Sequence, residues 1–398
     1  MANRLNLIFD FNNMAMRALF TCGYAGEGSV STFDTDEECA ILIRKIATDM
    51  AYVMRTFAPD RTIVLCDAKS PWRNDLYEDS DENYKGTRVK DNTKNWDKIW
   101  EALNEYKEIL KAKGFVVSEI NHAEADDLAA LWKKTLYTEN GENILFVSSD
   151  RDWVQLIDFN SNLTRFCACF NPIADNKKQK KLYITEAFNA WINGEDNTPK
   201  TDIFFNNYNL QKDKFKNIKT KDVKICYMIE NPNSVVLDKI MCGDDGDNAP
   251  AFYTYYKNGK KTRVTTTKAK KIFEDLNITS VKDLCQANEA DALKPEIEKV
   301  MKKELDDIDV NERLLRQRQL VELNPILFPE EIVSSFNYHI ADTENIGYFP
   351  TDTIKLDTIL SNTKYLNKDY KKPKENGIFD NLKDLEKYIK PINSNSLF

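Results

Sequence analysis

Three apolar, strand-like segments of this chain run into acids, and a fourth acidic group opens a helix; this arrangement constrains the fold more than any other feature. Leu5–Phe9 ends at Asp10, Thr62–Cys66 ends at Asp67, and Ile144–Val147 is followed by Asp150 and Asp152. Glu124, Asp126 and Asp127 head the helical segment that continues through Leu128 to Leu136. Carboxylates placed after several strands meet at one edge of an open α/β sheet, where such folds put their sites. A fifth group, with Asp244 and Asp247, stands far downstream in Gly243-Asp-Asp-Gly-Asp-Asn248. So many like charges in one place repel and call for cations. The expectation is an acidic pocket for hard divalent ions, Mg²⁺ or Mn²⁺, which prefer carboxylate oxygen.

Histidine usage narrows the chemistry. The 398 residues include only His122 and His339, so a histidine triad or an imidazole-rich zinc site is excluded. The eight cysteines show no zinc spacing and no disulfide framework, and Cys167-Ala-Cys169 stands alone. A reducing, cytoplasmic setting is expected, because Met1-Ala-Asn-Arg resembles no signal peptide and no segment has the apolar length of a membrane span. The net charge of −8 argues against a uniformly basic nucleic-acid binder but allows local basic surfaces.

Strands alternating with helices predict an α/β unit with a mainly parallel sheet flanked by helices. Residues 37 to 55 carry Leu42, Ile46, Met50 and Val53 at helical spacing, the signature of a core helix. A second helix presents Trp96, Ile99, Trp100, Leu103, Tyr106 and Leu110 and stops near Gly114, and Phe115-Val-Val makes another strand. Residues 171–222 are rich in Asn and Lys and read as an insertion with one short helix near Thr185–Ile192. Past residue 250 the signals are helical, broken at Pro325 and Pro329. From Asp342 a polar connector leads to one short amphipathic helix carrying Leu382, Leu385 and Ile389. The expected units are a core at 1–240, a helical region at 241–340 and a C-terminal extension at 341–398.

Each constellation has a plain alternative. Acids in a first helical turn are favoured by the helix dipole, so Glu124, Asp126 and Asp127 alone would mean little. Combined with the strand-end acids they suggest two ions bound between carboxylates, as in phosphoryl-transfer sites. The Gly243–Asn248 segment reads as a tight turn otherwise, and it lacks the pattern of a calcium loop. Asn258-Gly-Lys-Lys-Thr lacks the first glycine of a P-loop. Lys257 to Lys271 holds Lys260, Lys261, Arg263, Lys268, Lys270 and Lys271 without an acid, and Thr265–Thr267 suits a helix N-cap. A lone run of this kind is usually a solvated loop; its position just after the acidic turn favours a grip on phosphates. Trp72-Arg73 and Tyr84-Lys85-Gly86-Thr87-Arg88 form a third group. Its lysine and arginines suit a scissile phosphate and Tyr84 suits stacking on a base, the alternative being an ordinary exposed loop. The acidic run Glu78-Asp-Ser-Asp-Glu82 between its halves would repel a phosphate chain.

Taken together, Phe9-Asp10, Leu65-Cys-Asp67, Trp72-Arg73, Tyr84-Lys85 with Arg88, Glu124-Ala-Asp-Asp127, Ser148-Ser-Asp-Arg-Asp152 and Gly243–Asn248 resemble the 5′-nuclease superfamily. The likeness is strongest to the bacteriophage ribonuclease H and flap endonuclease branch of T-even type. It covers residues 5 to about 160 and 235 to about 340, with Arg318–Leu323 and Leu327-Phe-Pro resembling the closing helical segment. The resemblance implies a PIN-like core and a two-metal nuclease acting on duplex DNA or RNA–DNA with a free 5′ end or flap. By position it implies Asp10, Asp67, Glu124 and Asp126 for one metal, and Asp150, Asp152 and Asp247 for the other. Asp127 and Asp244 would lie nearby or act through water. Lys85 and Arg88 would stand at the base of an arch spanning about 70–95, and the basic stretch after Asn248 would match a duplex-gripping helix–three-turn–helix. The glycine-rich hairpin usual after the Gly-Asp-x-x-Asp-Asn motif is replaced here by Tyr- and Lys-rich sequence.

The implied role is removal of RNA primers or 5′ flaps in replication, by a monomer in the cytoplasm of the host cell if the chain is phage-encoded. A single-strand-binding protein or a sliding clamp is the kind of partner this role implies, with Leu397-Phe398 as a candidate docking end. The rival readings are a PIN-like ribonuclease and a non-catalytic, structure-specific DNA-binding protein.

Overall fold

The computed structural model describes residues 4–22, 24–25, 29–30, 32–57, 59–77, 84–86, 91–174, 179–193, 224–305 and 309–348. At its centre lies β1 (Leu5–Asp10), paired in parallel with β4 (Arg61–Leu65) on one side and β6 (Asn143–Val147) on the other. Beyond β4 lies β5 (Val116–Ser118), also parallel. β2 (Tyr24–Ala25) and β3 (Ser29–Val30) form a separate two-stranded ribbon. β1, β4, β5 and β6 are buried along their whole length, as strands covered by helices on both faces should be.

The other half of the sheet departs from expectation. β8 (Arg165–Asn171) pairs parallel to β6, β7 (Asp158–Asn160) pairs antiparallel with one end of β8, and β9 (Gln179–Ile184) pairs antiparallel with its other end. β10 (Lys224–Ile229) then adds to β9 in parallel, giving the order β10-β9-β8-β6-β1-β4-β5. Within the segment read as an insertion, Gln179–Ile184 therefore joins the sheet and the expected short helix is α5 (Glu186–Asn193), while residues 194–223 lie outside the described residues. Gln179-Lys-Lys-Leu-Tyr-Ile has no period-two alternation, only three apolar residues after two lysines, too weak a strand signal to stand alone.

Side chains alternate across a strand, and β1 feeds two cores accordingly. Leu5, Leu7 and Phe9 pack with α1 (Phe11–Cys22), α2 (Asp36–Phe57) and α3 (Trp96–Ala112). Ile8 faces the opposite layer, which contains α4 (Ala125–Trp132). Five further helices run from α6 (Pro232–Cys242) through α7 (Thr266–Leu276), α8 (Val281–Glu289) and α9 (Leu293–Met301) to α10 (Val310–Val321), around a third core. The antiparallel hairpin of β11 (Thr254–Lys257) and β12 (Lys260–Arg263) stands before α7, so the basic run is part hairpin and part helix rather than a loop.

Two boundaries shift. The expected border at 240 cuts α6, whose Val236, Leu237, Ile240 and Met241 pack with the helical region. At the far end, Leu323, Phe328 and two residues of α11 (Glu330–Thr343), Ile332 and Phe336, return to the second core beneath the sheet. Residues 241–340 thus divide between two cores. After α11, Gly347 adopts a φ of +85° and ties the chain to the start of β4: its carbonyl accepts from the Thr62 N–H at 2.9 Å and its N–H donates to the Gly114 carbonyl at 2.8 Å. The amphipathic segment around Leu382, Leu385 and Ile389 and the terminal Leu397-Phe398 lie outside the described residues. No described helix is long and apolar enough to cross a membrane.

Candidate metal centre

The acids gather at the C-terminal edge of the parallel strands, as the strand-end spacing predicts. Asp10 is the last residue of β1; its carboxylate accepts from the Asn13 N–H at 3.0 Å and from Ser148 Oγ at 2.7 Å. Asp67 follows β4 and accepts from the Ala125 N–H, at the start of α4, at 2.8 Å. Glu124 is the N-cap of α4 and forms a reciprocal box with Asp127, whose carboxylate accepts from the Glu124 N–H at 3.0 Å. Asp126 accepts from the Trp153 indole at 2.6 Å. Asp150 caps a 3₁₀ turn at Arg151–Leu156, accepting from the Asp152 N–H at 2.9 Å.

Asp244 and Asp247 come from the turn that follows α6. Gly243 holds a φ of +75°, and a Cβ there would lie 2.4 Å from the Ala249 carbonyl, so glycine is required for the turn to close. The closure is the backbone exchange between Asp244 and Ala249, at 2.9 and 2.8 Å. It brings Asp244 and Asp247 to Asp152: carboxylate oxygens of the three lie within 4.8 Å of one another. Such a triad, drawn from the sheet edge and the helical region, offers the oxygen donors that a hard cation takes.

The electrostatics show one continuous cluster. Burial pushes Asp10 up to about 7, with the charge of Asp67 as the next cause. Asp152 is also pushed up to about 7, first by burial and then by Asp150, with Lys239 pulling the other way. Asp67 and Asp126 are raised as well, by burial first; Glu124 adds to Asp67, while Asp150 adds to Asp126. Carboxyls in this state are protonated or matched by cations. The donor set is all oxygen, buried and short of positive charge, which fits divalent ions.

Two lysines supply part of that charge. Lys85, at a φ of 54°, is fixed by its N–H donating to the Asp247 carbonyl at 2.9 Å. Its ammonium pairs with Glu124 and lies 3.9 Å from Asp247, thereby linking the two ends of the cluster. Lys239 of α6 pairs with both Asp152 and Asp244, a contact that sequence reading missed. Its signal was present: it stands one helical turn before Gly243, so α6 and the turn present it to the same acids. Ser148 and Asn13, which orient Asp10 and Ser149, were likewise given no role.

The structure overturns two expected contacts, those of Arg73 and Tyr84, and places Asp127 behind Glu124. Arg73 is 1% exposed and cannot meet a phosphate. Its guanidinium pairs with Glu124 at 2.9 Å and Asp127 at 2.8 Å, and donates to the Gln319 and Leu320 carbonyls at the end of α10. Asp127 is fully buried against Arg73 and the Trp72 indole, where it serves as a counter-ion beside Glu124. Tyr84 is buried and donates its hydroxyl proton to Glu124 at 2.9 Å, which leaves its ring unable to stack on a base. Burial raises Glu124, but Arg73 and Lys85 outweigh it and hold the carboxyl below the usual range. Arg88 and the acidic run at 78–82 lie outside the described residues. Lys260, Lys270 and Lys271 are exposed, Arg263 and Lys268 are half-buried, and Lys261 is placed through its backbone in β12.

A mainly parallel sheet layered between helices, with carboxylates after β1, β4 and β6 and at the head of α4, is a PIN-like, resolvase-like fold. Residues 5–189 match the family model of the 5′-3′ exonuclease N-terminal, resolvase-like domain. No curated protein matches the sequence. Among solved structures, the chain is similar to the bacteriophage T5 5′-exonuclease with divalent metal ions (zinc) bound, at 17% identity and a TM-score of 0.51, covering 86% of this chain and all of that one. A bacteriophage T5 flap endonuclease, in a pseudo-enzyme–product complex with DNA and metal ions, aligns over 85% of this chain and 99% of its own at 16% identity and a TM-score of 0.49. The first of these shows the shared fold.

Proposed function

We propose that this nuclease is a divalent-metal-dependent 5′-3′ exonuclease and flap endonuclease that hydrolyses phosphodiesters in duplexes with a free 5′ end or flap. The observation that carries the reading is the meeting of Asp152 with Asp244 and Asp247 across two cores, beside Asp10, Asp67, Glu124 and Asp126. Two Mg²⁺ or Mn²⁺ ions would be held by Asp10, Asp67, Glu124 and Asp126 on one side, and by Asp150, Asp152, Asp244 and Asp247 on the other. When bound, such ions supply an activated water and neutralise charge on the scissile phosphate. Ser148 and the Asn13 N–H keep Asp10 turned toward the cluster. Arg73 and Tyr84 hold Glu124 charged and oriented. Lys85 sits at the mouth of the site, half-buried, where an ammonium can meet a phosphate oxygen and offset developing charge. Lys239 keeps Asp152 and Asp244 together until a stronger cation displaces it.

The reading extends to ribonuclease H-type removal of RNA primers and of 5′ flaps during replication, leaving a 5′-phosphate and a 3′-hydroxyl, by a monomer in the host cytoplasm. It is supported by the resemblance of the motif set in order and spacing, and by the basic residues downstream of the acidic turn. The test is incubation with a 5′-labelled flap duplex and a matching RNA-primed duplex, with Mg²⁺ and with chelator. Metal-dependent release of short 5′ products is expected on both. Binding without cleavage under any divalent metal would overturn the reading.

A further inference from the structure

α4 and α6 each turn one end to the acidic centre and the other to a groove away from it. Lys133, just past α4, stands roughly 13 Å along the helix from Glu124, and Pro232 stands roughly 10 Å along α6 from Lys239. The groove has a volume of about 620 Å³, the size of a small-ligand site. Its floor is aliphatic and drawn from two cores: Leu156 and Leu323 of the second meet Val236 of the third. Its walls are irregular but fixed. Lys133–Glu139 continue α4 as a π-helical stretch, a rare widening often found at functional sites. Gln155 donates to the Val321 carbonyl at 3.1 Å and accepts from the Leu323 N–H at 2.9 Å. Asn324 accepts from the Ile326 N–H at 3.2 Å, and the turn so held presents Ile326 at the rim, 88% exposed. At that exposure Ile326 gains almost nothing from burial.

The rim is basic. Lys133, Lys134 and Lys282 line it, and the N-terminal ends of α6 and α8 add the positive ends of their dipoles. Lys133 and Lys134 have only distant acids, Asp158 at 4.0 Å and Glu139 at 3.9 Å, exposed pairs that hold little. Glu322, an acid of the lining, is already matched by Arg318 at 2.6 Å. Among the described residues no aromatic ring and no guanidinium lines the groove. A nucleobase therefore finds nothing to stack on, and a phosphate finds no planar fork. An aliphatic floor under a lysine rim instead complements a chain that offers carboxylates beside an apolar side chain.

We propose that this groove docks an acidic peptide segment of another protein. The apolar side chain of that segment sits on Leu156, Val236 and Leu323 and against Ile326, and its carboxylates meet Lys133, Lys134 and Lys282. The proposal goes beyond the nuclease reading and does not depend on it, because none of these residues belongs to the acidic cluster.

The test is fluorescence anisotropy with short labelled peptides of aspartate and serine that carry a leucine pair at either end or at the centre. The controls replace aspartate by asparagine, or leucine by serine. An acidic, leucine-bearing peptide should bind the native protein, and both of its controls should bind about ten-fold more weakly or worse. The variant Lys133→Glu/Lys134→Glu/Lys282→Glu should weaken that binding about ten-fold or more, the loss expected of several exposed charge contacts. Ile326→Asp should weaken it several-fold. Thermal melting and cleavage of a flap duplex should be unchanged in both variants, which separates the groove from the metal centre. Acidic peptides that bind no better than their controls, or bind both variants as well as the native protein, would overturn the proposal. Labelled single-stranded DNA whose affinity falls with the three lysines, while peptide binding does not, would assign the groove to nucleic acid and overturn it too. A native protein that never cleaves but binds the peptides through these residues would sink the nuclease reading and keep the docking site.

Discussion

At the scale of single residues, the centre is a problem in charge. Asp152 touches Lys239 and stands beside Asp244 and Asp247, so one neutral, near-isosteric substitution tests its proposed role as a ligand. Asp152→Asn should abolish cleavage, weaken Mn²⁺ binding as followed by its spin-resonance signal, and leave duplex affinity largely intact; retained turnover would remove Asp152 from the metal site. The raised carboxyls also set a pH dependence. Asp10 and Asp152 are pushed up to about 7, whereas an unfolded aspartate titrates near about 4. The folded, metal-free chain therefore holds these protons more tightly than the unfolded chain. Their contribution to stability is present below about pH 4 and is lost as pH rises through about 7. In chelator, the melting temperature should fall between about pH 5 and 8, and saturating Mg²⁺ should restore it at the upper end. A melting temperature indifferent to both pH and Mg²⁺ would mean that the acids are not electrostatically coupled in this way.

At the scale of elements, the centre depends on segments that never touch a substrate. Arg73, in the 3₁₀ turn Trp72–Tyr77, ties the end of α10 to the start of α4 through Glu124 and Asp127. Removing one partner of a buried charge network leaves the others uncompensated, typically at about 3–5 kcal/mol. Arg73→Ala should lower stability to urea by that order, and Arg73→Lys should not restore it, because a lysine cannot make the planar fork. A loss below about 1 kcal/mol, the size expected of an exposed pair, would show that the network is not a strut. The sequence marked Trp72-Arg73 as significant, but the same residues would have looked alike on an exposed loop. Only the packing of α10 against them decided between a phosphate contact and a buried brace.

At the scale of the whole molecule, residues 5–189 pack against segments far downstream. Trp132 packs edge-on against Phe336 at 5.4 Å, and Trp72 against Phe328 at 6.2 Å, both partners lying beyond residue 320. Phe336→Ala should cost about 3–5 kcal/mol in urea unfolding, as large-to-small core changes do. A fragment ending at residue 240 should be insoluble or lack a cooperative melt, since it exposes Trp72 and Trp132. A soluble, cooperatively folding fragment would show the return of α11 to be dispensable. What the sequence determined by itself was local: strand-end acids, helical periodicity and turn glycines, each legible because neighbouring residues share one dihedral pattern. β1, β4, β6 and the acidic edge were readable for that reason. β8 to β10, the lysine between Asp152 and Asp244, and the burial of Arg73, Asp127 and Tyr84 were not. Those outcomes hang on which distant surfaces meet, and that is settled by packing in three dimensions, which no run of neighbouring residues records.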